Sequence, residues 1–217
     1  MTSGPVPIAE LERIREGVIS GDMSVVASLT ERALAGGGDP KIIMDDGLIP
    51  AMSVVGEKFE KKEYFVAEVL ISARAMEASL VLLRPLLEAG KVEPLGRVAV
   101  GTVAGDLHDI GKNIVGMVLT GAGMAVENLG VDVAPEAFVE AVERGADVIG
   151  MSSLLTTTRT NMSRVVSLLQ ERGLRDGVKV VIGGAAVTEK FALEIGADGY
   201  GTDANDAVKV VKRLMGI

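Results

Sequence analysis

The spacing of hydrophobic residues in this 217-residue chain changes near residue 91. Before that point apolar residues recur every three or four positions, which predicts amphipathic helices. Beyond it, short apolar runs alternate with amphipathic segments, a pattern typical of strands alternating with helices. The sequence therefore predicts a helical domain over residues 1–90, a linker with the sequence KVEPLG over 91–96, and an α/β domain over 97–217.

Four helices are predicted in the first domain. Two are short, from Ile8 to Ile19 and from Met23 to Leu34, and apolar residues from Leu48 to Phe59 predict a third. The fourth has a stripe that steps by three and four residues, suited to packing against other helices: Val66, Val69, Ala73, Met76, Leu80, Leu83 and Leu87.

The first domain also has sequence signals for helix starts and short connections between its helices. Asp22 follows Gly21 as a candidate N-cap, and Asp39 precedes Pro40, a pair typical of an N-cap followed by the first helical residue. Because the connections are short, we expect a small antiparallel four-helix bundle.

The second domain is predicted to be a parallel sheet covered by helices on both faces. Such alternation, with right-handed crossovers, favours a doubly wound, Rossmann-like sheet of the flavodoxin type, with a ligand crevice at the carboxyl ends of its strands. The predicted strands are 97–103, 125–129, 148–151, 178–182 and 199–200, and the predicted helices lie near 111–122, 135–144, 157–172, 187–195 and 204–215.

Composition narrows the function classes. Hydrophobic residues make up 48% of the chain but aromatic residues only 3%, so the core must be aliphatic. The net charge of −8 argues against sequence-independent binding to nucleic acid or to anionic membranes. The absence of cysteine excludes disulfides and thiolate metal sites. With no signal peptide or membrane span in the pattern, we expect a soluble cytoplasmic protein.

The candidate chemistry centres on the stretch GDLHDIG, residues 105–111, which contains the only histidine of the chain. His108 lies where the first strand is predicted to lead into a helix, so its imidazole would project from the ligand-binding edge of the sheet. Asp106 could accept a hydrogen bond from one ring nitrogen and so determine the tautomer. Gly105 and Gly111 would let a bulky ligand approach the backbone. The alternative is a loop histidine packed against its neighbours.

Two further loops follow predicted strands at the same edge. The hydroxyl-rich segment from Ser152 to Thr158 follows the third strand, and Gly183-Gly184 follows the fourth. Together with His108 they suit a large ligand that contains a metal. The alternative for the hydroxyl cluster is N-capping of the next helix, above all by Thr157.

Other loop types are excluded by spacing. Five residues separate Gly105 from Gly111-Lys112, one more than in a phosphate-binding loop, and Asn113 replaces the Ser or Thr that would hold magnesium. The sequence Gly121-Ala122-Gly123 follows a helix and lacks the third glycine of a dinucleotide fingerprint. A phospho-receiver domain would have aspartate at the end of the third strand, where this chain has Met151-Ser152.

The string GDLHDIGKNIVGMVL matches the D-x-H-x-x-G signature of cobalamin-binding domains of the methionine-synthase type. The segments IGMSSLLTTT and VIGGAAVT resemble the serine/threonine and double-glycine loops of that family, and VGEKFEKKEYFVAEVLISARAM resembles its four-helix cap. The resemblance covers nearly the whole chain. With only cap and cofactor domains, the chain resembles the small corrinoid proteins of methyltransferase systems.

The resemblance implies roles for individual residues. It assigns the lower axial cobalt ligand to His108, in place of the cofactor's own base, and the relay behind it to Asp106 and Thr158. The signature loop and the predicted neighbours of the nucleotide tail would bind the cofactor, and two cap residues would shield the methyl-bearing face. In that order they are Gly105, Asp106, Leu107, His108, Asp109, Ile110 and Gly111; Ser152, Leu154, Thr156, Gly183, Gly184 and Ala204; and Phe59 and Val66.

The function implied by the resemblance is that of a methyl carrier with bound cobalamin (methylcobalamin or a related corrinoid), in which Co(I) accepts a methyl group and then donates it. The expected partners are a substrate-specific methyltransferase, an acceptor methyltransferase using tetrahydrofolate or a thiol, and a reductive activator; self-association is also possible. The chain is expected to be one subunit of such a system rather than a complete enzyme. The alternatives are an adenosylcobalamin-dependent mutase subunit and a cobalamin-sensing regulator.

Overall fold

The computed structural model describes residues 4–89 and 94–217. They divide into two compact units: residues 4–89 with Gly121–Gly123, and residues 94–120 with 124–217. Residues 91–93 of the predicted linker lie outside the described residues.

The first unit is built from helices, as predicted. Its helices are α1 (Ile8–Ser20), α2 (Met23–Ala35), α3 (Pro40–Ile42), α4 (Ile49–Glu60) and α5 (Val66–Ala89), and a π-helical segment (Ile43–Leu48) joins α3 to α4. The predicted third helix therefore begins at Pro40 and changes its hydrogen-bonding pattern along its length.

Proline explains the change in pattern. Pro50 has no N–H to donate and its ring crowds the carbonyl four residues earlier, which belongs to Asp46. A π turn is a common way for a helix to accommodate such a disruption. The Asp46 carbonyl instead accepts a hydrogen bond from Nε of Arg15 at 2.6 Å. The proline thus leaves a backbone acceptor that connects this helix to α1.

The predicted caps and core stripe are present. The side chain of Asp22 accepts a hydrogen bond from the Val25 amide at 3.0 Å, and that of Asp39 from the Lys41 amide at 2.8 Å. The stripe of α5 is buried in its middle, whereas Val66 at its start is 41% exposed. The buried members are Val69, Ala73, Met76, Leu80 and Leu83.

The second unit is a five-stranded parallel sheet with strand order β2-β1-β3-β4-β5, which confirms the flavodoxin-type prediction. The strands are β1 (Arg97–Val103), β2 (Ala125–Val133), β3 (Val148–Ser152), β4 (Lys179–Gly183) and β5 (Gly199–Gly201). The helices are α6 (Ile110–Gly121), α7 (Pro135–Glu143), α8 (Thr160–Glu171), α9 (Glu189–Ile195) and α10 (Ala204–Met215), and a short 3-10 turn (Arg175–Gly177) precedes β4.

Alternating side chains of β1 show how the two faces are covered. Ala99 belongs to a core that also contains Phe138 of α7 and Leu169 of α8. Val100 points the other way and lies against Gly116 of α6, where an added Cβ would be 3.6 Å from its side chain. Helices therefore pack on both faces of the sheet, and the carboxyl ends of its strands remain available for a ligand.

Within residues 4–89 and 94–217, no helix is long and apolar enough to cross a membrane.

Candidate cofactor-binding site

The loop between β1 and α6 lies at the point where the strand order reverses. β1 pairs with β2 on one side and with β3 on the other, so loops that leave β1 and β3 diverge around a crevice. Gly105 in this loop has φ of +81°, a conformation that favours glycine. The Thr102 hydroxyl donates to the His108 carbonyl at 2.8 Å, and the Asn161 amide donates to the Ala104 carbonyl at 2.8 Å. The loop is therefore held from inside the sheet and from α8.

Asp106 is the buried centre of the loop, with none of its surface exposed. Its Oδ1 accepts from the His108 amide at 3.1 Å and lies 2.7 Å from Nδ1 of the His108 ring. Its Oδ2 accepts from the amides of Leu154 at 2.7 Å and Leu155 at 3.2 Å, and from the Thr158 hydroxyl at 3.2 Å. One carboxylate thus joins the loop after β1 to the loop after β3.

These donors determine the charge state of Asp106. Burial alone would raise the pKa of the carboxyl, because it disfavours the charged form. Hydrogen bonds from the side chain and backbone of His108, and from the amides of Leu154 and Leu155, outweigh burial and hold the pKa well below its usual range. Asp106 is therefore a carboxylate at neutral pH.

The ring of His108 is about half exposed. Its side chain is 53% exposed, so it is not the packed loop histidine of the alternative interpretation. With the Nδ1 proton donated to Asp106, Nε2 carries the lone pair that can bind a metal. Around it, the side chains of Leu107 and Ile110 are each 71% exposed and that of Leu154 is 43% exposed. The loops that carry and hold His108 therefore also expose apolar side chains.

The loop after β3 corrects one expectation. Helix α8 begins at Thr160 rather than at the predicted 157, and its N-cap, Arg159, makes no side-chain cap hydrogen bond. Thr157 therefore does not cap the helix. Two other hydroxyl side chains of this loop turn inward: Ser153 and Thr158 are buried, and their hydroxyl oxygens lie 2.9 Å apart beside Asp106.

The carboxyl end of β2 also contacts the site, which sequence patterns did not indicate. β2 runs to Val133, four residues beyond the predicted end, with register shifts in its pairing to β1. Asp132 has φ of +51°, its carboxylate accepts from the Gly105 amide at 2.6 Å, and its amide donates to the Asp106 carbonyl at 3.0 Å. The irregular end of β2 thus supports the backbone that carries Asp106.

A groove runs across the carboxyl ends of β3, β4 and β5. Its lining includes Ser152, Gly183, Gly184 and Ala204, four of the residues predicted to lie beside the nucleotide tail. Leu154 and Thr156, also predicted there, are exposed and do not belong to this lining. Four of the six residues predicted to lie beside the nucleotide tail therefore line one groove, and their role there stays a prediction.

Gly184 makes the groove possible. Its φ is +114°, and an added Cβ would lie 2.2 Å from the backbone oxygen of Ser153. Because backbone cannot move aside easily, only glycine lets the loop after β4 approach the loop after β3 this closely. The Ser153 amide donates to the Gly183 carbonyl at 3.1 Å across the same contact.

The remaining residues predicted to bind the cofactor lie in different parts of the structure. Asp109 accepts from the Asn113 side chain at 3.0 Å at the start of α6. Gly111 is a groove residue, and an added Cβ would meet nothing within 4 Å. Phe59 and Val66 belong to the helical unit, where Phe59 is half-buried and Val66 is exposed.

Lys112 was not predicted as a site residue, although it is buried and lines the groove. Its Nζ donates to the side-chain oxygens of Asn113 at 2.7 Å and of Asn128 at 2.6 Å. Burial lowers the pKa of Lys112, and the negative charge of Asp109 partly opposes that shift. The ammonium thus connects α6 to β2 beside the signature loop.

These residues fit a cobalt-containing corrinoid. Among the described residues, no cluster of three or more histidine or acidic side chains could hold a metal ion. A single exposed imidazole backed by a buried carboxylate suits a metal whose other ligands come with the cofactor. The glycine-lined groove beside it suits an extended part of the same molecule.

Comparison with known proteins identifies the family of this chain. Residues 96–209 match the model of a B12 binding domain, and residues 10–84 match a second B12 binding domain model. The chain therefore belongs to the B12-binding family, and it binds a corrinoid cofactor that contains cobalt.

Relatives share both units. The trimethylamine corrinoid protein of Methanosarcina barkeri is 40% identical over 210 residues, covering 95% of this chain and 97% of that protein. A corrinoid protein of Desulfitobacterium hafniense is 40% identical over 210 residues, with the same coverage. Among solved structures, a chain of the methanol:cobalamin methyltransferase complex MtaBC from Methanosarcina barkeri has a TM-score of 0.88 at 29% identity, covering 98% of this chain and 81% of that chain.

Proposed function

We propose that this protein is a cytoplasmic methyl carrier whose cobalamin is bound with its own base displaced and His108 as the lower axial ligand. The observation that carries the proposal is the pairing of an exposed imidazole with the buried carboxylate of Asp106, 2.7 Å from Nδ1. When bound, the cofactor supplies cobalt that can accept a methyl group as a nucleophile and release it to a second acceptor.

The residues behind His108 tune its ligand strength. The Asp106 carboxylate holds the Nδ1 proton and so directs the Nε2 lone pair toward the metal. An imidazole without a metal partner could take up a proton at Nε2 and would then form an ion pair with the same carboxylate. Thr158 completes the relay through its hydrogen bond to Asp106.

The groove supports the proposal that the cofactor's own base is displaced. Its glycines and Ala204 leave room for an extended chain, and the half-buried Ser152 provides a hydroxyl at its wall. We assign the nucleotide tail of the cofactor to this groove and the corrin ring to the apolar surface of Leu107, Ile110 and Leu154. On the helical unit, we assign Phe59 and Val66 to the upper face of the ring.

The names of the related proteins support a proposal for the partners of this protein. The proteins to which this chain is similar are named for trimethylamine, dimethylamine and methanol systems. We therefore propose that one methyltransferase loads the carrier from a small methylated amine or alcohol, and that a second transfers the methyl group to tetrahydrofolate or a thiol. A reductive activator would restore the cobalt after accidental oxidation. The match of residues 10–84 to a B12-binding helical domain favours this carrier over a mutase subunit.

Ligation by His108 can be tested by spectroscopy of the reconstituted protein. Because His108 is the only histidine, protein labelled with ¹⁵N at histidine carries the label in one imidazole. In the Co(II) state, a coordinated ¹⁵N nucleus splits the electron paramagnetic resonance lines into doublets, whereas ¹⁴N from the cofactor's own base splits them into triplets. We expect doublets in the labelled protein.

His108→Ala is the companion variant. It should still bind cobalamin through the groove but lose the nitrogen splitting from the protein. Triplets in the labelled wild type, or a visible spectrum that His108→Ala leaves unchanged, would contradict the proposed ligation. The carrier role is tested separately, by capturing partners from native lysate and measuring methyl transfer from methylamines and methanol.

A further inference from the structure

Ser153 adds a second hydroxyl to the group behind His108. It is fully buried, and its Oγ lies 2.9 Å from the Thr158 hydroxyl and 3.4 Å from Oδ2 of Asp106. Both hydroxyls are also 3.0 Å from the Leu155 carbonyl. Two hydroxyl protons are therefore shared among three possible acceptors, and their arrangement follows from the chemistry of each acceptor.

The Asp106 carboxylate accepts the first of the two hydroxyl hydrogen bonds. A charged oxygen is a stronger acceptor than a carbonyl or a hydroxyl, so we assign one of the two hydroxyl protons to Asp106. Thr158 is the closer, at 3.2 Å against 3.4 Å for Ser153. Because a hydroxyl has only one proton, Thr158 then has none left to donate.

The direction of the first hydrogen bond determines where the second hydroxyl proton, that of Ser153, is donated. At the 2.9 Å contact between the two hydroxyls we assign Ser153 as the donor, since the Thr158 proton is directed to Asp106 in this arrangement. The Leu155 carbonyl does not need a hydroxyl, because it already accepts from the amides of Thr158 and Arg159, each at 3.2 Å. In this arrangement both hydroxyl protons have an acceptor.

We infer that Ser153 is a positioning residue that extends the relay to four members. In this relay Ser153 donates to Thr158, Thr158 donates to Asp106, and the Asp106 carboxylate accepts from His108. The inference rests on the proposed function of His108 as the cobalt ligand. In a chain of hydrogen bonds each donor polarises the next, so Ser153 makes Thr158 a stronger donor to the carboxylate. A carboxylate that is better satisfied by Thr158 holds the Nδ1 proton of His108 less strongly. Ser153 thereby limits the strength of the axial ligand without contacting His108.

The test needs no cofactor. The ¹⁵N chemical shifts of both ring nitrogens can be read through the carbon-bound ring protons of His108, the only histidine, in the apo protein at one fixed pH. Ser153→Ala should move the Nδ1 resonance in the direction of a stronger hydrogen bond to Asp106, and Thr158→Val should move it further in the same direction.

Thr160→Ala is the matched control. Thr160 has a hydroxyl in the same loop region, but that hydroxyl donates to the Thr157 carbonyl at 3.4 Å and not to the relay, so its loss should leave both resonances in place. Thermal unfolding and a dispersed amide spectrum show that each variant is folded. Unchanged ring-nitrogen shifts in Ser153→Ala would overturn the inference, as would a shift of the Nδ1 resonance in the direction of a weaker hydrogen bond to Asp106.

The ring-nitrogen test of Ser153 and the resonance test of His108 ligation can fail independently of each other. A failure of the ring-nitrogen test would leave the cobalt–histidine doublets intact, whereas a failure of the proposed ligation would leave the hydrogen-bond chain in the apo protein unaffected. If both hold, the reconstituted Ser153→Ala protein should retain His108 on cobalt in a larger fraction of molecules than the wild type, measured by its visible spectrum.

Discussion

At the scale of single residues, the buried carboxylate of Asp106 serves both the stability and the chemistry of the site. It satisfies donors from two loops, whereas His108 is half exposed and its ring has Asp106 as its partner. The two residues of the signature therefore differ in what their loss would cost the fold. The D-x-H spacing predicted their hydrogen bond, but it could not show that Oδ2 also holds the loop after β3.

The first prediction compares Asp106→Ala with His108→Ala. Asp106→Ala leaves the amides of Leu154 and Leu155 and the hydroxyl of Thr158 without their buried acceptor, and we expect a loss of about 3 kcal/mol in unfolding free energy. His108→Ala removes a half-exposed ring and should cost less than about 1 kcal/mol. Urea denaturation of the apo proteins measures both values. Equal losses would show that Asp106 does not hold the two loops together.

The second prediction concerns Lys112. Burial lowers its pKa, so at alkaline pH the unfolded chain keeps a proton that the folded protein releases. The unfolding free energy should therefore rise with pH between the lowered pKa and the ordinary value of about 10.4. Lys112→Met should lack this rise, as measured by urea denaturation from pH 7 upward. Lys190→Met is the control: it removes a lysine whose side chain is 87% exposed, so the rise in unfolding free energy with pH should remain. Loss of this rise in both variants would show that it does not come from the buried Lys112.

At the scale of elements, the site depends on where strands end and how closely the loops after them approach. The existence and type of the strands and helices followed from hydrophobic spacing alone. Their ends did not: α8 begins three residues later than predicted, because the loop before it turns Thr158 toward Asp106. The length of β2 was also missed, since its last residues pair irregularly and include Asp132 at positive φ.

The third prediction tests the close approach at the double glycine. Gly184→Ala combines a positive φ with a Cβ placed 2.2 Å from the Ser153 backbone oxygen. We expect it to destabilise the protein by about 3 kcal/mol and to weaken cobalamin binding.

Gly173→Ala is the matched control for that prediction. Gly173 has φ of +69°, but an added Cβ would meet nothing within 4 Å, so only the backbone strain of about 1 kcal/mol is expected. Thermal unfolding and titration with cobalamin measure both variants. A Gly184→Ala protein no less stable than Gly173→Ala would show that the two loops can separate without cost.

At the scale of the whole molecule, the two units differ in what they contain. Every hydrogen bond of the Asp106 group and every residue that lines the groove belongs to residues 94–217. The helical unit has its own core and polar contacts, such as the buried pair of Thr30 and Ser79 hydroxyls at 2.8 Å.

The fourth prediction follows from this division. A fragment of residues 94–217 should fold, bind cobalamin and show the same His108-dependent nitrogen splitting as the full chain, because its sheet, core and relay are complete. Calorimetric titration and electron paramagnetic resonance of the fragment test this. A folded fragment that does not bind cobalamin would mean that the helical unit supplies part of the binding energy.

The sequence by itself determined the order and type of the elements, the parallel sheet and the position of His108 at its carboxyl edge, because these depend on local periodicity and on the chirality of strand–helix–strand connections. The tertiary structure decided which polar groups meet. Ser153, Asp132 and Asn161 reach the loop after β1 from segments more than 25 residues away. Such contacts depend on the register of β1 with β2 and β3 and on the close approach at Gly184, which no local pattern encodes.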